Sequence, residues 1–493
     1  MGRSRSCAIR SGYRRLIRRR NKFSPSSRTP LRIDRILPTP PRLNLSSLLI
    51  DHPFADDRDL LHTVDESLNK GQARARVLQL TEELAIEPGE GVAVMLPNGP
   101  ELVCTMAAIW LAGGVYVPVN PRLPDAEVHN VLAQTQPRLL VTTEGNTAVD
   151  GEPQVFADDV AFVVWTSGTT GRPKPILHTH TSYVELLDRV LGPLRSGGAS
   201  DREPTPNLIP VSMALNAGIY NALFGLRAGA ALVMMEKFEP EGFAELVHRF
   251  SIRSTVLPPA AMAMLTDSPV NDLGPLKYVR SITAPLSPLQ ATRFAEKFPV
   301  HVLNGYGQAE IGEVIGWTAS NAKEFPEKIG AVGRPHPGVA IRIDERGHLL
   351  VRPPNSAVGI EERIDSDGFV DTGDLARIDD DGFVWIEGRA GDVINRGGNK
   401  VHPDAVEEVL RLLPRVLDAA VVGVPDERLG EVPVAFLVGE PIDTDSVITH
   451  CRAHLVAYKA PAAVIWVDAL PRSEVGKVLR RELVEIYADS QSD

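Results

Sequence analysis

The sequence predicts an α/β protein with a large N-terminal domain built on largely parallel sheets and a smaller α+β domain at the C-terminus. Three observations carry this. Short apolar runs alternate with helical patterns through roughly the first 340 of the 493 residues. The texture then changes to short strands separated by acidic turns, as in IRIDERGHLLVR and GFVDTGDLARIDDDGFVWIEG. After GRAGD (388–392) a second, shorter alternation of helices and strands begins. Alternation of the first kind implies strands covered by helices, and strands broken by tight polar turns imply antiparallel hairpins.

Residues 1–32 hold ten Arg, one Lys and no Asp or Glu. This basic head is read as a disordered extension over 1–43. Two further readings are open for it: a targeting segment, or a surface for anionic partners. From 44 onward the runs VAVML (92–96), VYVPV (115–119), LLVTT (139–143), AFVVW (161–165), ALVMM (231–235) and STVLP (254–258) predict strands. Residues 101–112, 126–135 and 243–250 predict helices. The uncharged stretch LVCTMAAIWLAGGVYVPVN (102–120) is nearly long enough to cross a bilayer. Its Gly113-Gly114 and Pro118, and the change of period within it, split it into a buried helix, a stop and a buried strand. No integral membrane segment is therefore expected.

From about 340 the hairpins predict a small, barrel-like β part. Past 390, HPDAVEEVLRLLP (402–414) and VITHCRAHL (447–455) predict helices, with LDAAVVGVP and VPVAFLVG as strands. Domains of 44–390 and 391–493 follow.

The net charge is -11, so the 461 residues beyond the basic head carry -22. An acidic body excludes nucleic acid as the main partner, because a phosphate backbone needs a basic face. Three cysteines, Cys7, Cys104 and Cys451, show no metal-ligand spacing and predict reduced thiols in a cytoplasmic protein.

The stretch VVWTSGTTGRPKPI (163–176) is a candidate phosphate loop. It lacks the GK[ST] ending of a Walker loop. The physics still transfers. Gly168 and Gly171 let backbone N–H groups face an anion; Thr166, Ser167, Thr169 and Thr170 supply hydroxyls; Lys174 supplies charge. By itself the stretch is equally an ordinary Gly/Thr turn.

Six further segments, in order, change that reading: WLAGGVYVPVNPRLP (110–124), SITAPLSP (281–288), NGYGQAE (304–310), DTGD (371–374), GRAGDVINRGGNKVHPDAVEE (388–408) and PRSEVGKVLRREL (471–483). With TSGTTGRPK they resemble the adenylate-forming superfamily of acyl-CoA synthetases, peptide-synthetase adenylation domains and firefly-type luciferases. The resemblance runs from about 44 to 490. It implies a large adenylate-forming domain and a mobile C-terminal domain, using ATP, Mg²⁺ and a small-molecule carboxylic acid to make acyl-AMP and pyrophosphate.

The resemblance also implies roles. Residues 166–174 hold the β- and γ-phosphates. Glu310 holds Mg²⁺, as suits a hard ion; apart from the resemblance it reads as the start of a helix, where a carboxylate is favoured anyway. Tyr306, Gly307, Ala284 and Pro285 line adenine, while Asp374 and Arg389 take the ribose hydroxyls. Lys477 bridges carboxylate and α-phosphate in the transition state and so is the main catalyst, with Glu310 and Lys174 beside it. Gly391 serves the hinge, Gly397 and Gly398 line a thiol tunnel, and Met213, Asn216 and Gly305 border the acid.

Four positions depart from the family pattern. Pro175 replaces the usual Gly after the loop lysine, and Ala309 the usual Thr before Glu310. Met213 stands near the usual histidine, and no histidine occurs between His180 and His248. Gly391 stands where Asp or Lys is usual. Three functions are open: an acid–CoA ligase; a stand-alone adenylating enzyme serving an acyl carrier protein's phosphopantetheine or another nucleophile; and a nucleotide-binding regulator. Lys174, Glu310, Asp374, Arg389 and Lys477, all present, oppose the third. The span from Glu310 to Asp374, 64 residues, lacks the insertion of ligases that feed carrier proteins and so favours the first.

Overall fold

Apolar runs flanked by turn residues become strands buried on both faces. In a computed structural model, which describes the chain except for residues 1–43, 167–173, 197–203, 283, 285, 355, 357–359, 473–477 and 491–493, GVAVM forms the strand Gly91–Met95 at the heart of a six-stranded sheet. Its parallel neighbours are Val115–Pro118 and Leu139–Thr142. The sheet continues through Val160–Thr166, and antiparallel strands close both edges: Gly145–Ala148 at one and Lys174–Thr179 at the other. The stretch 102–120 resolves as expected. Pro100–Leu111 is a helix with Pro at its first position, and ten of its residues are buried. Gly113 then turns the chain at φ +79°, and Gly114 packs so tightly that a Cβ would stand 2.4 Å from Ile86 Cδ1. Among the described residues no helix is long and apolar enough to cross a membrane.

A nine-stranded sheet packs beside the first. Its parallel core runs from His301–Gln308 through Tyr278–Ser281, Ser254–Val256, Asn207–Ile209 and Leu232–Met234 to Asp59–His62. Antiparallel strands flank it: Ser67–Asn69 at one edge, Gly312–Gly316 and Arg334–Pro335 at the other. Buried Asn98, just past the first sheet's Gly91–Met95, ties the two sheets together. Its Nδ2 donates to Val211 O at 2.7 Å and Met235 O at 3.0 Å, and its Oδ1 accepts from Met213 N at 2.8 Å.

The acidic turns of the third region have a local cause. Ala340–Ile343, His348–Arg352, Val370–Ile378 and Val384–Arg389 form a four-stranded antiparallel sheet in chain order. The expected barrel-like part is thus an open sheet, with no pairing between its edge strands among the described residues. Asp344, Asp365 and Asp379 each use Oδ1 to accept the N–H groups two and four residues on. Each turn contains a glycine at φ between +78° and +86°. An Asp that pins its own turn, followed by a left-handed glycine, recurs three times.

Beyond 390, Asn399–Val401, Ile394–Arg396, Gly430–Gly439, Val416–Asp426 and Ala463–Trp466 make a five-stranded sheet. Pro403–Leu410, Thr444–His454 and Arg480–Ser490 are its helices. Its two core clusters contain only residues from 394 onward, and the clusters of the larger part contain none beyond 386. Two cores that share no side chain are what domain rotation requires.

Candidate active site

In an open parallel sheet, ligands gather beyond the carboxyl ends of the strands. Here the carboxyl ends of both parallel sheets open onto one cavity of about 3250 Å³, closed on its far side by residues beyond 390. That is several times the roughly 300–1,000 Å³ of a single-ligand pocket, so the cavity suits more than one substrate.

One polar cluster comes from NGYGQAE and DTGD. The Tyr306 hydroxyl donates to Asp374 Oδ2 at 2.5 Å. Gln308 Nε2 donates to the same oxygen at 3.1 Å and to Thr372 O at 2.8 Å. Arg389 Nε meets Asp374 Oδ1 at 2.7 Å, and Asp374 and Arg389 face each other across adjacent strands. Burial, then the neighbouring Asp374 charge, raises the Tyr306 phenol well above its ordinary pKa, so it stays a donor. Gly307 and Ala284 also line the cavity; Pro285 lies outside the described residues.

Glu310 occupies the turn between His301–Gln308 and Gly312–Gly316, which corrects the expectation that it starts a helix. The hairpin forms because Gly307 and Gly312 let the strands approach closely. A Cβ on Gly307 would stand 2.1 Å from Gly312 O, and Gly312 itself has φ +66°. Backbone cannot step aside as a rotamer can. Gly307→Ala is therefore expected to cost about 1–3 kcal/mol, measurable by denaturant unfolding, with nucleotide binding weakened as Tyr306 shifts.

Arg363 is a site residue that the sequence did not announce. It donates to Glu310 Oε1 at 3.0 Å, to Gln308 Oε1 at 2.7 Å and to Asp371 O at 2.9 Å. It knits NGYGQAE to DTGD from the short 3₁₀ helix Glu361–Arg363, which carries no motif. Gln308, by contrast, stands within NGYGQAE. No group of three potential metal ligands occurs among the described residues. A single carboxylate suits an ion that arrives with ATP phosphates, since Mg²⁺ commonly takes one or two protein carboxylates and fills its shell with phosphate and water.

Another part of the cavity wall is built from glycine and aromatic residues. Gly305, Asn216, Tyr220 and Gly312 line it. Asn216 accepts a 3.0 Å bond from the Tyr183 hydroxyl. Gly305 and Gly316 are cross-strand partners, and the Glu313 carboxylate occupies the space their side chains would fill. Arg280 Nη1 donates to both oxygens of Glu313 at 2.7 and 2.8 Å, and His336 Nε2 lies 3.2 Å away. Burial alone would raise the Glu313 carboxyl; Arg280 and His336 overcome it and bring the pKa to about 2.

Three expectations need correction or restatement. Met213 does not border the cavity. It is fully buried in the core, held by Asn98 at its N–H and Tyr116 at its carbonyl, while its neighbours Ser212 and Ala214 form the wall. The apolar side chain is drawn into the core. Gly397 and Gly398 do not line the cavity in this conformation; they form a tight turn at φ +59° and +86°. Gly391 does line it, and open space surrounds the position of its missing Cβ.

Of the phosphate loop, Thr166 and Lys174 are paired across the antiparallel strands Val160–Thr166 and Lys174–Thr179. Ser167, Gly168, Thr169, Thr170 and Gly171 lie outside the described residues. The loop thus joins two strands, unlike a Walker loop, which opens a helix. Lys477 also lies outside the described residues, but Arg472 and Val478 on either side of 473–477 line the cavity. Arg480, three residues on, is held by Asp392 at 3.2 Å, Asp404 at 3.0 Å and Glu407 at 2.6 Å. That cluster ties the start of the helix Arg480–Ser490 to Asp392 and to the helix Pro403–Leu410.

Comparison with known proteins agrees with this geometry. Residues 56–156 and 146–359 match the family described as AMP-binding enzyme, and residues 405–477 match the AMP-binding enzyme C-terminal domain. The chain is 28% identical over 476 residues to 4-coumarate-CoA ligase 1 of Narcissus pseudonarcissus, covering 83% of this chain and 86% of that one. It is 30% identical over 471 residues to a 3-[(3aS,4S,7aS)-7a-methyl-1,5-dioxo-octahydro-1H-inden-4-yl]propanoyl:CoA ligase of Rhodococcus jostii (strain RHA1), covering 81% and 89%. The fold is that of ATP-bound MatB from Rhodopseudomonas palustris, with a TM-score of 0.79 at 24% identity over 91% of this chain and 99% of that one. The two-part architecture, the cleft between its parts and these matches together establish that the chain belongs to the AMP-binding enzyme family.

Proposed function

We propose that the protein is an ATP-dependent carboxylic acid–CoA ligase working in two steps. A substrate carboxylate oxygen attacks the α-phosphorus of ATP, giving acyl-AMP and pyrophosphate. The CoA thiol then attacks the acyl carbon, releasing AMP and one proton and leaving the thioester. One observation carries this reading: Tyr306, Asp374 and Arg389 converge at 2.5 and 2.7 Å in a cleft that Glu310 also faces.

In the first step Asp374 and Arg389 orient the ribose, and Tyr306 and Ala284 flank the adenine. The loop 166–174 holds the departing phosphates. Bound Mg²⁺ would neutralise phosphate charge, with Glu310 holding it. Lys477 stabilises the charge that builds between carboxylate and phosphate. In the second step the smaller domain turns about Ala390–Asp392, and the Gly397–Gly398 turn comes to face the acyl group. A cytoplasmic setting is supported by Cys104 and Cys451, which are both free and buried.

The test is ATP–pyrophosphate exchange over a panel of short, medium, long and aromatic acids, followed by addition of CoA. Acid-dependent exchange and an acyl-CoA product are expected. Exchange without acyl-CoA formation, but with acylation of a carrier protein's phosphopantetheine, would replace CoA as the acceptor. No acid-dependent exchange would refute adenylation.

A further inference from the structure

Arg363 has no role in the chemistry above, yet it borders the same cavity as Gln308, Glu310 and Asp374. Its guanidinium carries five N–H groups. Nε donates to Asp371 O at 3.2 Å, and Nη2 donates to Asp371 O at 2.9 Å and to Gln308 Oε1 at 2.7 Å. Nη1 donates to Glu310 Oε1 at 3.0 Å. These bonds leave one N–H, on Nη1, with no acceptor among the described residues. The side chain is 32% exposed, so that donor is not sealed in the core.

The neighbours of Arg363 say which part of the nucleotide this donor would meet. Gln308 joins it to the ribose side: Gln308 Oε1 takes the Arg363 bond, and Gln308 Nε2 donates to Asp374 Oδ2 at 3.1 Å. On the other side stands Glu310, the carboxylate given above to the ion that accompanies the phosphates. In ATP, the group between the ribose and the departing phosphates is the α-phosphate. Ala309, between Gln308 and Glu310, also lines the cavity but has no side-chain donor to offer it. A guanidinium offers a charge-assisted one, and it suits phosphate oxygens.

We propose that Arg363 is a further catalytic residue, donating through Nη1 to a non-bridging oxygen of the α-phosphate. This rests on the adenylation reading. As the carboxylate oxygen bonds to the α-phosphorus, the bond from that phosphorus to the oxygen bridging the β-phosphate breaks. Pyrophosphate leaves with the electron pair. Arg363 gains and loses no proton; its fixed charge meets the negative charge on the α-phosphate oxygens. Its bonds to Asp371, Gln308 and Glu310 hold it in place before ATP arrives, so little reorganisation is needed at the moment of reaction.

The test compares AMP with adenosine, each bound in the presence of EDTA and measured by calorimetry, so that the α-phosphate is the only difference and no metal takes part. Wild type is expected to bind AMP at least about tenfold more tightly than adenosine. Arg363→Met should erase most of that gain while adenosine binding stays within a few-fold. It should also lower kcat for ATP–pyrophosphate exchange by about ten- to a hundredfold and leave the KM for the acid little changed. Arg363→Lys keeps the charge without the fork and should recover part of both losses; if Arg363→Met melts too low to assay, Arg363→Lys is judged by the same comparison. A brace that merely holds Gln308 and Asp374 predicts a different pattern, with AMP and adenosine weakened equally. That pattern, unchanged AMP binding and exchange in the variant, or equal affinity of wild type for AMP and adenosine would overturn the inference and leave adenylation standing. Absence of acid-dependent exchange in wild type would overturn adenylation and this inference together.

Discussion

Lys477→Ala is expected to lower acid-dependent ATP–pyrophosphate exchange by about a hundred- to a thousandfold while ATP binding changes little. The expected magnitude is that of removing one preorganised group that meets charge only as it develops. The split between rate and affinity is diagnostic. An interaction made only in the transition state lowers kcat and leaves ground-state binding intact. The surroundings favour the role. Arg472 and Val478 face the cavity, and Arg480 ties the following helix to Asp392, Asp404 and Glu407. Equilibrium ATP binding measured beside exchange gives the check; exchange near the wild-type rate would remove Lys477 from the chemistry. Conversion of preformed acyl-AMP and CoA to acyl-CoA and AMP provides a control, because the thioester step should retain most of its rate in this variant.

Glu313→Ala is expected to cost about 3–5 kcal/mol of stability, because it strands the largely buried Arg280 beside an emptied space. Chemical denaturation would show it as a fall in midpoint. The same carboxyl predicts an acid dependence. Its pKa is about 2 in the folded chain against an ordinary 4.5. A group depressed on folding stabilises fully above its unfolded pKa and loses that contribution as pH falls through the folded one. The contribution of Glu313 should therefore be complete above about pH 5 and fade from there toward pH 2. Glu313→Gln should flatten that limb of the stability profile; an unchanged limb would show that other carboxylates dominate acid unfolding.

Much of the fold was legible because its strands are short apolar runs between turn residues. The runs at 92–96, 115–119 and 139–143 became the parallel strands Gly91–Met95, Val115–Pro118 and Leu139–Thr142. The acidic turns after 340 were legible as hairpins, and their repeated Asp-to-backbone bonds explain why. Long-range pairings were not legible. Nothing local to Arg363 says that it reaches Glu310, 53 residues away in sequence, because a hydrogen bond across strands leaves no periodic trace. Met213 was misplaced for a related reason. Sequence position locates the wall, but only packing decides which side chain of that wall turns inward. The Arg280–Glu313–His336 cluster has the same character, since each member sits on a different segment and only the glycines at 305 and 316 make room for it.

The central claim is that a carboxylate oxygen attacks the α-phosphorus of ATP in this cleft. Isotope transfer tests it most directly: an accepted acid labelled with ¹⁸O in its carboxylate, turned over with ATP and CoA, with the phosphorus products read by mass spectrometry. The account predicts one ¹⁸O atom in each AMP released and none in pyrophosphate. Label appearing in inorganic phosphate, or AMP carrying none, would contradict it.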